Sequence, residues 1–106
     1  MSGVRKNLEA MLARGQDSAL LRFSLGSLCL QSDEAPLAAL HLEQATRHDA
    51  DYSAAWKLLG KARLQTGDAA GAASAWRQGI AVAERRGDQQ AAREMRVFLR
   101  RLDRQG

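Results

Sequence analysis

The chain echoes itself at a step of 34 residues, and this period constrains its fold more than any other feature. Leu25-Gly26 returns as Leu59-Gly60, Ala38 as Ala72 and Leu42 as Trp76. A fixed period of this size marks stacked supersecondary units, each too small to bury its own apolar face. The phase continues past the two full copies. Stepping back 34 from Ala38, Leu42, Ala45 and Thr46 lands on Val4, Leu8, Met11 and Leu12. Those four lie at i, i+4, i+7 and i+8, which is one face of an α-helix.

The phase predicts six antiparallel helices at about 3–14, 18–31, 35–48, 52–65, 69–85 and 88–103. Asp17 or Ser18 is expected to cap the second and Asp51 or Ser53 the fourth. Pro36 suits a first helical turn, where its missing N–H is not needed. Gly67 suits a left-handed helix stop, and Gly87-Asp88 ends one helix and caps the next. Leu21, Leu25, Leu28 and Cys29 form one buried stripe; Ala91, Ala92, Met95, Phe98, Leu99 and Leu102 form another. Arg93, Arg96, Arg100 and Arg104 then give the last helix a polar outer face, as the open end of a stack requires. Gly26 and Gly60 fall mid-helix, where Gly costs about 1 kcal/mol relative to Ala. The expected reason is close approach of the partner helix at Ala38 and Ala72. At Leu99-Arg100, read as the same site in the last helix, no partner follows and Arg is tolerated.

Composition agrees with an all-helical domain. Hydrophobic residues make up 45% but aromatics only 5%, so small side chains must do the packing. Valine occurs only at Val4, Val82 and Val97 and isoleucine only at Ile80, which leaves little to build strands. At 106 residues this is one domain. Its expected parts are an N-terminal half-repeat (1–15), repeats at 19–52 and 53–86, and a capping helix at 87–104. Cys29 stands alone, no run approaches a membrane span, and no signal-like segment opens the chain; a cytoplasmic location is expected. Arginine far outnumbers lysine and alanine is abundant, which fits a GC-rich bacterial genome.

In the second copy Trp56, Leu59-Gly60, Gly67-Asp68, Ala72 and Trp76 take the aromatic, Leu-Gly, turn, small and second aromatic positions of a known pattern. The chain resembles the tetratricopeptide repeat family over residues 19–86, with half-repeats on either side. The resemblance implies a right-handed solenoid of helical hairpins. It further implies a non-catalytic scaffold without cofactor or metal, which binds a peptide or helix of another protein on its concave face. Carried onto this chain, the peptide-binding groove comprises Leu20, Phe23, Ser27 and Leu30, then Ala54, Lys57, Lys61, Leu64 and Gln65. Glu94, Val97 and Arg101 join if the last helix continues the lining. Phe23 and Ser27 stand where one branch of the family places a lysine and an asparagine to grip a terminal carboxylate, so that clamp is absent. The sequence departs from the pattern elsewhere too. Arg22 takes the site of Trp56, Ala50 and Glu84 take a usual proline site, and Gly79 replaces the residue matched by Ala45; these are expected to loosen packing locally.

Other chemistry is thinly supported. His41 and His48 lie two turns apart without a third ligand and read as surface histidines rather than a metal site. Cys29 reads as packing, Trp56 and Trp76 as core, and the paired acids near turns as solvated caps. No phosphate loop or nucleophile motif occurs. Residues 15–51 carry two basic and six acidic side chains, whereas 52–106 carry eleven and five. Arg85, Arg86, Arg93, Arg96, Arg100, Arg101 and Arg104 could track phosphates, but no aromatic accompanies them on the outer face to stack a base, so nucleic-acid binding through the C-terminal helix is the less favoured alternative. An acidic peptide or helix suits the lysine-bearing groove better. Head-to-tail pairing of the solenoid ends, one expected to be acidic and the other basic, into a homo-oligomer is the competing reading.

Overall fold

The computed structural model describes residues 2–105, with side chains from residue 3 onward. Its elements are α1 (Ser2–Ala13), α2 (Ala19–Gln31), α3 (Ala35–His48), α4 (Ser53–Gln65), α5 (Ala69–Arg85) and α6 (Gln89–Gln105). No strand occurs among the described residues. The tightest packing is within two hairpins, α2–α3 and α4–α5. α3 then stacks on α4 and α5 on α6. The first helices also meet side by side, α2 against α4 and α4 against α6. α1 packs sparsely, its backbone approaching α2 alone, and Val4 on its expected apolar face is 61% exposed.

The core runs along the stack as two clusters. Cys29, Ala38, Leu42, Leu59, Ala62 and Ala75 form one; Ala72, Trp76, Ala83, Ala91, Ala92 and Met95 form the other. Alanine dominates both because the facing helices lie close, and the few large side chains fill what remains. The mid-helix glycines have a different cause from the one expected. A Cβ at Gly26 would lie 2.5 Å from Leu42 Cγ, and one at Gly60 would lie 2.5 Å from Trp76 Cε2. The nearest obstacles are these large side chains rather than Ala38 and Ala72. The glycines are seats for Leu42 and Trp76.

Gly79 is likewise no looseness, since a Cβ there would meet Met95 and lie 2.9 Å from Trp56 Cβ. Met95, fully buried, fills the core where the last helix was read through Leu99. Leu99 is only half-buried. α5 has 17 residues against 14 in α3, so α6 begins later than a strict 34-residue step predicts.

Four helix ends share one geometry. Gln16, Glu34, Asp68 and Asp88 each return a backbone N–H to the carbonyl five residues earlier, at 2.8 to 3.0 Å. The residue before each has positive φ: Gly15, Gly67 and Gly87 at 86°, 87° and 75°, and Asp33 at 59°. This is the left-handed stop that closes a helix, here made once by an aspartate.

Caps settle two open alternatives. Ser18 Oγ accepts from Leu21 N at 3.1 Å, which frees Asp17 for another role. α4 is entered at Tyr52 with no side-chain cap, because neither Asp51 nor Ser53 fills that position. Its turn is held by Asp49 instead: Asp51 N donates to Asp49 Oδ1 at 3.0 Å, and Trp56 Nε1 donates to Ala50 O at 2.8 Å. The hydrogen bond from Trp56 to Ala50 O ties down the position where the family pattern has a proline.

Candidate functional site

The uncovered face is the one lined by α2, α4 and α6. On α2, Leu20 is 66% exposed, while Phe23, Ser27 and Leu30 are half-buried. Phe23 and Leu30 lean on the first core cluster, and Phe23 stacks against Tyr52 with ring centroids 4.8 Å apart. The aromatic therefore shows one side to solvent rather than lying fully under a neighbouring helix. On α4, Ala54 and Lys57 are half-buried, Lys61 and Gln65 are exposed, and Leu64 is 39% exposed.

The two lysines of α4 differ in state. Lys57 Nζ donates to Glu94 Oε1 of α6 at 3.0 Å, so its charge is already answered within the chain. One turn on, Lys61 Nζ lies 5.0 Å from the Phe98 ring centroid and forms no ion pair among the described residues. Phe98 in turn sits 5.3 Å from Trp76, tilted by 45°. Lys61, Leu64, Trp76, Phe98, Arg101, Leu102 and Gln105 enclose a cleft of about 230 Å³ between the C-terminal ends of α4 and α6. A shallower depression at the other end of the seam gathers Ala54, Lys57 and Glu94.

Of the groove residues expected from sequence, Lys61, Leu64 and Arg101 thus converge on one cleft, and Ala54 and Lys57 on another. Leu20, Phe23, Ser27 and Leu30 lie along α2 and line neither of these two clefts. Sequence reasoning missed Tyr52, Phe98, Leu102 and Gln105 as members of this face. Phe98 and Leu102 carried a signal, since they sit on the apolar side of α6; their double role as core edge and cleft wall depends on where the helix ends. Trp56 and Trp76, read as core, divide. Trp76 is buried with Nε1 donating to Lys57 O at 3.1 Å, and Trp56 is only half-buried.

A second polar cluster lies at the join of α1, α2 and α3. Arg22 grips Asp17 through Nε and Nη2 at 2.8 and 2.9 Å, and its Nη1 stands 3.3 Å from His41 Nδ1. His48 Nε2 approaches the same Asp17 carboxylate at 3.0 Å. The Arg22 hydrogen bonds, with help from His48, hold the Asp17 carboxyl at about 2. His41, expected at the surface, is buried, and burial with the nearby Arg22 charge pushes its pKa down. Such a histidine is a neutral hydrogen-bond partner beside Arg22, at the place that Ala75 takes in the other hairpin. Close by, Arg5 reaches across from α1 to Glu34 and draws that carboxyl down. Burial raises the Cys29 thiol, which keeps it protonated and inert. Among the described residues, no group of three His, Cys, Asp or Glu side chains is placed to hold a metal, and no helix is long and apolar enough to cross a membrane.

No family model matches the chain. It is 57% identical over 99 residues to a TPR repeat-containing protein of Pseudomonas aeruginosa, a match spanning 93% of this chain and 94% of that one. The solution structure of a Bordetella parapertussis protein superposes with a TM-score of 0.82 at 49% identity, covering 96% of this chain and 89% of that chain. The crystal structure of a tetratricopeptide repeat domain protein of Salinibacter ruber superposes at 0.76 with 25% identity, covering 82% and 97%. With the 34-residue phase, the paired hairpins and a relative matched almost end to end, the chain belongs to the tetratricopeptide repeat family.

Proposed function

We propose that this chain is a non-catalytic scaffold, acting in the cytoplasm, that binds a peptide or helix of another protein along the α2–α4–α6 face. One observation carries the reading. The first helices of successive hairpins lie side by side and leave apolar surface uncovered, from Leu20 and the Phe23–Tyr52 stack to Leu64 and Phe98. A single exposed leucine is ordinary, but apolar side chains aligned along one groove mark an interaction surface. Leu20, Phe23 and Leu30 act as anchors. Lys61 and Arg101, at the rim, tune encounter rate and salt dependence more than final affinity.

Calorimetry with a partner recovered by affinity capture tests this. Phe23→Ala is expected to weaken binding about tenfold or more, as loss of an interface aromatic does. Leu40→Ala removes a side chain more open than Phe23, 60% exposed, but on the opposite helix layer, and is expected to change nothing. Equal loss from both variants, or none from Phe23→Ala, overturns the groove. End-to-end assembly is the weaker reading. α6 presents Arg93, Arg100 and Arg104 outward, and α1 presents Lys6 and Arg14, so the ends repel. A mass that stays monomeric on concentration is the expected result.

A further inference from the structure

We infer that the cleft between the C-terminal ends of α4 and α6 is an anchor pocket for one apolar side chain of a partner protein segment whose neighbouring residues carry carboxylates. The inference rests on the reading of the concave face as a protein-binding surface and deepens it by naming where the partner anchors and what it must carry.

Size limits the occupant first. An apolar cavity of about 150 Å³ takes a single benzene ring. The cleft measures about 230 Å³, so it accepts one leucine or phenylalanine side chain. Past Leu64, Leu102 and Gln105 a more open depression of about 520 Å³ continues along Ala69, Ala70 and Asp103, so the cleft is a niche on a longer surface that a chain segment can follow. Its walls are apolar where they are deepest, with the Trp76 edge and the tilted Phe98 ring behind and Leu64 and Leu102 at the sides.

Charge decides the rest. Lys57, Arg63, Arg85 and Arg96 are each tied to a carboxylate of the chain itself. Lys61 and Arg101 flank the cleft and pair with no carboxylate among the described residues. Lys61 is held by the Phe98 ring, which orients an ammonium without neutralising it. The α4–α6 seam is thus neutralised at Lys57–Glu94 and cationic one turn further on. A basic segment would be repelled there, and an uncharged one would leave both cations unanswered. An apolar residue flanked by Asp or Glu satisfies pocket and rim together.

The test uses the full chain, isotope-labelled, and three acetylated and amidated hexapeptides: Asp-Glu-Leu-Phe-Glu-Asp, its amide isostere Asn-Gln-Leu-Phe-Gln-Asn, and Asp-Glu-Ala-Ala-Glu-Asp. The first is expected to shift the Trp76 indole N–H and the Leu64 and Leu102 methyls. It should bind about fivefold more tightly than the isostere at low salt, the scale set by two exposed charge pairs. The third should not reach saturation. The Lys61→Ala/Arg101→Ala double variant should erase the fivefold difference, so that the acidic and amide peptides bind alike, whereas Lys57→Ala should preserve it. Equal affinity for acidic and amide peptides overturns the inference. So does a response confined to Phe23, Leu30 and Tyr52, although that result leaves the concave face standing. Silence of α2, α4 and α6 alike at about 1 mM peptide overturns both.

Discussion

Where the α4–α5 hairpin places Trp56, Ala75 and Val82, the α2–α3 hairpin places Arg22, His41 and His48, residue for residue at a distance of 34. The second hairpin is closed by an indole. Trp56 packs on the core edge and donates to Ala50 O, and Trp76 fills the seat at Gly60. The first is closed by a charged network, with Arg22 gripping Asp17 and standing over a buried, neutral His41. The same backbone can thus be buttressed by area or by hydrogen bonds. The polar version works only because its members satisfy one another; no buried side-chain polar atom is left unpartnered among the described residues. It should therefore respond to salt and acid where the aromatic version does not.

The largest contrast is expected at the two seats. In Gly60→Ala the new methyl strikes a rigid indole whose Nε1 is committed to Lys57 O. Overpacking of this kind should cost about 2–3 kcal/mol, roughly 10–20 °C in Tm for a domain of this size. Gly26→Ala strikes Leu42, which can turn about its own χ angles, and about 1 kcal/mol is expected. Arg100→Leu, on the exposed face of α6, should stay within about 0.5 kcal/mol. Equal losses for Gly60→Ala and Gly26→Ala in thermal unfolding would show that side-chain stiffness does not govern the seats.

Truncating the two closures sharpens the comparison further. Trp56→Ala removes a half-buried indole, and about 2 kcal/mol is expected at any salt. Arg22→Ala removes a bidentate pair between partly exposed groups, 19% and 31%, and about 1 kcal/mol is expected, shrinking in molar salt. Urea unfolding at low and high salt reads both.

Acid should separate the hairpins again. His41 has a folded pKa below its ordinary value, so the unfolded chain binds its proton first. Its contribution is complete above about 6.5 and fades as pH falls through that value toward the lower folded one. Asp17, held at about 2, adds a contribution present above its unfolded value near 4 and lost between there and about 2. His41→Ala, which copies Ala75 of the other hairpin, should flatten the slope of stability just below about pH 6.5 and leave the lower, Asp17 limb in place. An unchanged upper slope would mean that His41 titrates freely in the fold.

These particulars mark how far the sequence reaches. The six helices, Pro36 at a helix start and the left-handed stop at Gly67 were legible, because periodicity and turn chemistry are local. A repeat distance says which positions correspond, but not which atom of the neighbouring helix fills a gap. Hence Leu42 and Trp76 at the glycines went unseen. His41 looked solvent-facing because its burial depends on the smaller footprint of Arg22 relative to Trp56. The Lys57–Glu94 pair, and with it the split character of the groove, depends on the phase of α6. That phase is set by three extra residues in α5 rather than by the 34-residue step.

The smallest contrast lies in the turns. Asp33 and Gly67 occupy the same place in the two hairpins and both adopt positive φ, 59° and 87°. Each precedes the residue whose N–H reaches back to close the helix, Glu34 to Cys29 O and Asp68 to Arg63 O. An L-residue in this region meets a clash between Cβ and the following carbonyl that costs roughly 1–2 kcal/mol, less for Asp. Glycine avoids the clash, but its freer unfolded chain returns roughly 0.5–1 kcal/mol of the gain. Asp33→Gly is therefore expected to stabilise by about 0.5 kcal/mol, or roughly 2–4 °C. Gly67→Asp, which imports the strained choice into the other hairpin, should destabilise by a similar amount, since open space surrounds its missing Cβ. Opposite shifts of matching size would show that the two turns are interchangeable and that Asp33 is held there by the fold. A loss of stability in Asp33→Gly would show instead that its carboxylate contributes more to the turn than its backbone strain costs.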